Sequence, residues 1–322
     1  MGRAGREPLG TAPVLDWTPA PAAAVRERPR VARSLWADAW RRFRRHRLAT
    51  AGAVVFLLLA AGCGVGPEVY HVGMNTIDFH ASMAPPSWAH PLGTNDLGQD
   101  MLARILWGGR ISIAVGIAAM LMSVTIGTLV GALAGYFGRA ADLVLMRLTD
   151  VFLSLPQLPL LLLVIYLFRD RLTKLVGPQL GIFWLIVVVI GGLNWMPTAR
   201  LVRAGFLSVK EKEFIEAARS VGVGPAAQIL RHILPNVLSP VIVSATLSVG
   251  SAIIAESTLS FLGLGFPPDV PTWGRLLYDA QNYLDIAPHM ALFPGLMICL
   301  AVLSVNYVGD GLRDALDPLR IL

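Results

Sequence analysis

The sequence predicts an all-α integral membrane protein with six transmembrane helices. Three observations carry this. Of 322 residues, 55% are hydrophobic and only 15% charged, against about 25% charged in a typical soluble domain. The apolar residues gather into six long runs, each approaching the roughly 20 residues that cross a bilayer. Lys and Arg are shared unequally between the segments that join those runs.

Residues 1–33 are rich in Ala, Pro and Arg without apolar periodicity, which predicts a flexible cytoplasmic tail. In 34–47, Leu35, Trp36, Ala39, Trp40 and Phe43 recur at helical spacing, and Arg41, Arg42, Arg44, Arg45 and Arg47 crowd the end. That pattern predicts an amphipathic helix lying in the membrane interface, its basic residues toward anionic headgroups. The transmembrane domain then occupies 48–322.

The six spans are predicted at 48–65, stopped by Gly66-Pro67; 111–136; 151–168, with Pro156 and Pro159 inside; 180–196, stopped by Pro197; 237–259; and 290–307. Proline within a span is tolerable where neighbouring groups satisfy the freed carbonyls. With the N-terminus in the cytoplasm, segments 1–47, 137–150, 197–236 and 308–322 hold 21 of the 27 basic residues, and the outer segments 66–110, 169–179 and 265–289 hold 6. The positive-inside rule therefore predicts both termini in the cytoplasm. Arg169, Arg171 and Lys174, in a short outer loop, run against the trend.

Cys63 and Cys299 both lie in apolar runs, which excludes a disulfide scaffold or a multi-cysteine metal site and predicts two small buried hydrophobes. The arginines ahead of Ala61-Gly62-Cys63 resemble a lipoprotein or twin-arginine export signal. The long preceding segment and the five later spans favour a retained helix instead. The net charge of +6 is explained by topology and does not call for a nucleic-acid partner.

The cytoplasmic segment 207–236 carries the strongest local pattern. Ser208 and Glu211 form a capping box that predicts a helix start. Leu207, Phe214, Ala217, Ala218 and Val221 supply one apolar face, and Gly222 breaks the helix as a residue able to take positive φ. Gly224-Pro225 starts a second helix, with Ile229, Leu230 and Ile233 on its apolar side, and Pro235 ends it. The expected product is a helix–turn–helix knuckle too short to span.

Glu216-Ala217-Ala218, three residues, Gly222, nine residues, then His232-Ile233-Leu234-Pro235 closely resembles the EAA signature of permeases in ATP-binding-cassette importers. His232 stands where that family usually has Ile. The outer segment from His90 through Asn95 and Asp96 to Asp100, the stretch from Ala255 to Gly265 that includes Glu256 and Ser257, Pro271-Thr272-Trp273-Gly274, and the ending from Gly309 to Pro318 resemble further signatures of peptide-permease subunits. Together, over roughly residues 36–320, the chain resembles the C-type permease subunit of the dipeptide/oligopeptide/nickel importers.

The resemblance implies a type I ABC importer permease fold in a bacterial cytoplasmic membrane. It makes the knuckle a coupling helix docked on an ATPase subunit, with Phe214, Glu216, Ala217, Ala218, Gly222, Leu234 and Pro235 as its working residues. The implied partners are a homologous B-type permease subunit, two ATP-binding-cassette ATPase subunits and an extracytoplasmic solute-binding protein, besides the lipid bilayer. ATP and Mg would be bound on the ATPase subunits, and no cofactor or metal on this chain. No G-x-x-x-x-G-K-[ST] loop occurs here, so hydrolysis by a P-loop mechanism is not expected of this chain.

Individual residues have plainer readings. The small residues Ser123, Gly127, Gly131 and Gly135 form a helix-packing stripe. Glu256 lies nineteen residues beyond Val237, about 28 Å at the helical rise, near the outer interface where a carboxylate can be solvated. Asn194 and Trp195, with Glu256 and Ser257, are candidates for the translocation pathway, and Asn194 and Trp195 are equally candidates for interface anchors. Asn95 or Asp96 is a candidate cap for a short outer helix reaching Arg104, in a loop whose candidate residues are His90, Asp96 and Asp100. His71, His80, His232 and His289 show no metal-ligand spacing. A nickel or other small-solute importer of the same family is the alternative. An ion-coupled secondary transporter would need midplane ionisable residues and internal repeats, and a membrane enzyme some catalytic constellation; neither stands out.

Overall fold

The computed structural model describes Gly2 and residues 35–316, so the tail 1–33, Gly2 apart, and the last motif residues from Asp317 onward lie outside the described residues. The described residues are almost wholly helical. Helix α1 (Leu35–Arg45) leads into α2 (Arg47–Val69), and a long outer loop leads to α3 (Met101–Phe137). Four shorter helices follow: α4 (Arg139–Ser154), α5 (Gln157–Val176), α6 (Pro178–Gly192) and α7 (Met196–Val209). The knuckle is α8 (Glu213–Ser220), a Gly-containing turn, and α9 (Pro225–Ala227), continued by a π-helical turn over Gln228–Ile233 into α10 (Leu234–Phe261). The short outer helix α11 (Trp273–Ala280) and α12 (His289–Leu316) complete the described chain.

Four helices are long and apolar enough to cross a membrane unbroken; two bent pairs, α4–α5 at 88° and α6–α7 at 44°, bring the number to as many as six. The expected third span, 151–168, is therefore not one straight helix. It breaks at Leu155-Pro156, where Leu155 is extended because a residue before proline avoids the α region. The outer loop expected at 169–179 is mostly helix, because α5 runs on to Val176 and only Gly177 separates it from α6. The span expected to stop at Pro197 ends at Gly192. Pro197 opens α7, where its missing N–H costs no hydrogen bond.

Gly66-Pro67 does not stop the first span either. Pro67 lacks the N–H that would bond the Cys63 carbonyl, and Arg110 of α3 donates to that carbonyl instead (Nε to O, 3.0 Å), so α2 runs on to Val69. Of the two cysteines, Cys63 is buried, whereas Cys299 is exposed on the outward side of α12 rather than in the core.

The core is built on α3. An added Cβ on Gly127 would come within 2.6 Å of the Trp195 carbonyl, one on Gly135 within 2.5 Å of Phe206 Cβ, and one on Gly131 would strike the Ala199 carbonyl. Only side chains of this size let α7 lie against α3 backbone to backbone. Nearer the N-terminal half of α3, the helices α3, α5, α6 and α10 share an apolar cluster that includes Val115, Ile165, Ile186 and Ile190.

Candidate functional site

The knuckle is mounted on the C-terminal ends of α3 and α7 and the N-terminal end of α10. Ile215 (0% exposed) drives into a cluster formed by Val202, Phe206 and Val209 of α7 with Ile233, Val237 and Val241. Ala218 is also buried, whereas Phe214, Glu216, Ala217 and Val221 are exposed. The apolar residues at 214, 217 and 221 therefore share the outward face at i, i+3 and i+7 spacing. The face expected from the sequence mixed the two sides: it included Ala218, which points inward, and it lacked Ile215, which anchors the helix.

Helix α8 begins at Glu213, not at the Ser208 capping box. Ser208 falls in the last turn of α7, held there by packing on α3, and Lys212 takes the extended N-cap conformation. At the other end Gly222 has φ +83°. Gly222 N–H donates to the Arg219 carbonyl and Val223 N–H to the Ala218 carbonyl, both at 3.0 Å. This pair of bonds is a Schellman cap. Pro225 opens the next helix, as its position requires.

Pro235 does not end that helix. The π turn shifts the register so that Leu234 N–H reaches the Ile229 carbonyl five residues back, and α10 absorbs Pro235 in its first turn. Leu234 is half-buried and Pro235 exposed.

Polar bonds fix the mount. Buried Gln228 (2% exposed) accepts from the Tyr136 hydroxyl at 2.9 Å and donates to the Val223 carbonyl at 2.6 Å. Lys210 Nζ donates to the Gly135 carbonyl at 3.0 Å. Sequence reasoning missed Gln228, whose only signal was a polar residue on the otherwise apolar side of the second knuckle helix.

At the opposite end of α3, Asp100 is the hub. It caps α3 by accepting from Ala103 N–H at 2.8 Å, and its other oxygen accepts from the Tyr70 hydroxyl and pairs with His90 Nδ1, both at 2.9 Å. Burial and the Asp100 carboxylate push the Tyr70 phenol up to about 12. The cap is thus Asp100 rather than Asn95 or Asp96. Asn95 makes a turn instead, accepting from Leu97 and Gln99 N–H, while Asp96 reaches the Tyr283 hydroxyl at 3.4 Å. Arg104, 1% exposed, binds Asn75 Oδ1 and the Pro268 carbonyl and so ties three outer segments together. Burial raises the Asp279 carboxyl above its ordinary value, while Arg275 and Arg104 oppose the rise.

Within the membrane-spanning part, Glu256 is not solvated as expected. It is 0% exposed and accepts from Ser112 Oγ at 2.9 Å and Ser260 Oγ at 2.7 Å. The segment after α10 folds back over it: Trp273, also 0% exposed, donates its backbone N–H to the same Ser112 oxygen at 3.3 Å. Ser257 is pressed under Gly274, and Trp195 is buried against Phe152 at 6.1 Å between ring centroids. Of the four candidate pathway residues, Asn194 borders two cavities: one of about 100 Å³ between α4, α5 and the start of α7, the other of about 260 Å³ between α3, α7 and α10. His90 and Asp100 are brought together, whereas Asp96 turns to Tyr283, and Glu256 lies apart from both this loop and the knuckle. Among the described residues no group of three or more His, Cys, Asp or Glu could hold a metal.

Bent apolar spans, a docked knuckle with an exposed apolar face at one end of the spans and an ordered loop at the other define a membrane-embedded transport subunit. Residues 127–321 match the family described as binding-protein-dependent transport system inner membrane component, and 34–86 match the N-terminal TM domain of oligopeptide transport permease C. The chain belongs to that transport family. The oligopeptide transport system permease protein OppC of Haemophilus influenzae is 40% identical over 288 residues, 89% of each chain. The glutathione transport system permease protein GsiD of Pectobacterium atrosepticum is 39% identical over 292 residues, 90% of this chain and 93% of that one. OppC of Escherichia coli K12 is 41% identical over 288 residues, 89% and 92% respectively. A chain of the inward-facing MetNI methionine ABC transporter superposes with a TM-score of 0.53 at 18% identity, covering 67% of this chain and 98% of that one. The fold is that of a type I ABC importer permease.

Proposed function

We propose that this chain is one of two permease subunits of an ATP-driven peptide importer, and that the knuckle transmits the motion of separate ATPase subunits to the spans. The observation that carries the coupling role is the division of α8 into two faces. Ile215 and Ala218 are locked into the membrane domain, while Phe214, Ala217 and Val221, flanked by Glu213 and Glu216, are left exposed on a helix that cannot flex independently. A compact apolar patch with an acidic border suits a groove in a partner and moves as a rigid body with the spans.

The remaining partners are a homologous B-type permease, two ATP-binding-cassette ATPases that bind ATP and Mg, and an extracytoplasmic solute-binding protein over the loop organised by Asp100. Both termini lie in the cytoplasm of a bacterial cell. The peptide substrate rests on the named substrates of the relatives. The test is reconstitution of the purified complex in liposomes with a peptide-loaded binding protein. Expected are co-purification of the ATPases, ATPase stimulation by the loaded protein and ATP-dependent peptide uptake. Isolation without any ATPase, or uptake driven by an ion gradient alone, would overturn the reading.

A further inference from the structure

The cavity between α3, α7 and α10 is the least explained feature of the membrane-spanning part. It encloses about 260 Å³ near the middle of α3 and α10, and its polar lining is Ser123, Asn194, Thr198, Ser244, Ser248 and Ser251, with no charged side chain among the lining residues. Its volume falls below the roughly 300–1,000 Å³ of a complete small-ligand site. That shortfall suits a half-site whose other wall is a second subunit.

The hydroxyls are not equivalent to free ones. Ser248 donates to the Ser244 carbonyl at 2.8 Å, Ser251 to the Leu247 carbonyl at 3.4 Å and Ser123 to the Met120 carbonyl at 3.0 Å. Thr198 and Ser244 share one bond at 3.0 Å, and the Asn194 amide donates to the Ile190 carbonyl at 2.8 Å. The donors of three of these serines and of the amide thus go to backbone carbonyls, while each hydroxyl oxygen keeps acceptor capacity. The lining is therefore rich in acceptors and poor in free donors. It suits a ligand whose N–H groups need partners in a low-dielectric place and whose side chains vary. It offers no imidazole, thiolate or carboxylate to a transition-metal ion.

We infer that this cavity is the subunit's half of the substrate path, and that Ser244, Ser248 and Ser251 accept hydrogen bonds from the backbone N–H groups of a peptide in transit. The inference rests on the peptide-importer reading and adds the surface that would make such an importer indifferent to side-chain identity. Residues spaced i, i+4 and i+7 along one helix offer successive acceptors to an extended chain moving past them. An acceptor abandoned by one N–H is taken by the next.

The test uses the complete complex in liposomes. The triple variant Ser244→Ala, Ser248→Ala, Ser251→Ala should reach parent membrane levels and co-purify with the ATPases, but lose at least fivefold in maximal uptake of trialanine, trilysine and triglutamate alike. Its KM should be unchanged, because capture belongs to the binding protein. A backbone N-methylated trialanine should be slow in the parent complex and no slower in the variant. Separately, in a background with Cys63→Ala and Cys299→Ala, Ser248→Cys should react with a hydrophilic thiol reagent in at least one nucleotide state, and saturating peptide should slow that reaction. Unchanged uptake in the triple variant overturns the inference. So does a Ser248→Cys site that stays unreactive in every state, which would mean the second permease packs the cavity. If the parent complex imports no peptide, the peptide reading fails and the N–H role falls with it; the labelling then decides, on its own, whether the cavity lines a path.

Discussion

The Tyr136 hydroxyl, in the last turn of α3, donates a 2.9 Å hydrogen bond to the buried side-chain oxygen of Gln228, whose amide in turn holds the Val223 carbonyl beside the knuckle turn. Helix α3 and the turn of the knuckle are thereby joined through one amide. This bond and the apolar Ile215 anchor hold the knuckle to α3 and α7, with no flexible linker between them.

Tyr136→Phe removes the donor and leaves the Gln228 oxygen to find water. A buried group losing its partner costs about 1–3 kcal/mol. The variant should insert and assemble normally, with ATPase stimulation by loaded binding protein reduced several-fold. Gln228→Leu, which removes both bonds, should do at least as much. Full stimulation in both would show that the apolar anchor alone carries the motion.

The glycine stripe gives a graded test of the α3–α7 contact. Gly131→Leu would drive a branched side chain into the Ala199 carbonyl and Val202, and overpacking of this kind costs about 1–3 kcal/mol or more. Membrane levels of the full-length chain should fall. Gly192→Ala, where nothing lies within 4 Å of the added carbon, should leave them at the parent level.

Asp100→Ala removes the α3 cap and the partner of Tyr70 and His90 together. Loss of a cap alone costs about 1 kcal/mol. The thermal midpoint of the purified complex should drop, and docking of the binding protein should weaken while basal ATPase activity persists. Tyr70→Phe should cost less. Because folding raises the Tyr70 pKa from 10.0 to about 12, its bond to Asp100 is fully present below the ordinary phenol value and is lost only as pH rises toward the raised one. The difference between Tyr70→Phe and the parent should therefore be constant across the neutral range.

Topology follows from the charge distribution. A cysteine replacing Trp88, fully exposed in the outer loop, should react with an impermeant thiol reagent added to whole cells carrying Cys299→Ala. Gly2→Cys should be protected until the cells are opened. Labelling of Gly2→Cys from outside would reverse the orientation.

The apolar runs located the four unbroken spans and the apolar members of both bent pairs, because burial in lipid leaves a mark on each residue of a span, but α4 and α7, the other halves of those pairs, lie mostly in segments read as cytoplasmic. What stayed hidden depends on contacts distant in sequence. Pro67 lies inside a helix only because Arg110, forty-three positions away, takes the carbonyl that it frees. Ser208 carries a valid capping signal, but α7 is already held against the α3 glycines and runs through it. Glu256 is sealed by Trp273 and Ser112, which a helical ruler drawn from Val237 alone cannot register. Gly222 was legible for the opposite reason: a chain reversal between two short helices is a local event with few backbone solutions.

That reversal supplies the sharpest mechanical test. Gly222 stands at φ +83° with open space around its Cα, so an added side chain meets no neighbour and only the backbone conformation is strained. A β-branched residue resists positive φ, and holding it there costs about 1–3 kcal/mol. The alternative is to abandon the Schellman cap, which releases the Ala218 and Arg219 carbonyls and swings α8 away from Val223. Gly222→Val should thus leave insertion and membrane levels unchanged, because no span depends on this turn. Ile215 would no longer hold Phe214 and Glu216 in a fixed orientation, so retention of the ATPases should be poor and stimulation by loaded binding protein lost. Gly222→Asn, which tolerates the left-handed region better, should restore much of both. ATPase activity of the complex in lipid, with and without loaded binding protein, is the deciding measurement. Parent-level stimulation in Gly222→Val would mean that the outward face of α8 is not the coupling surface.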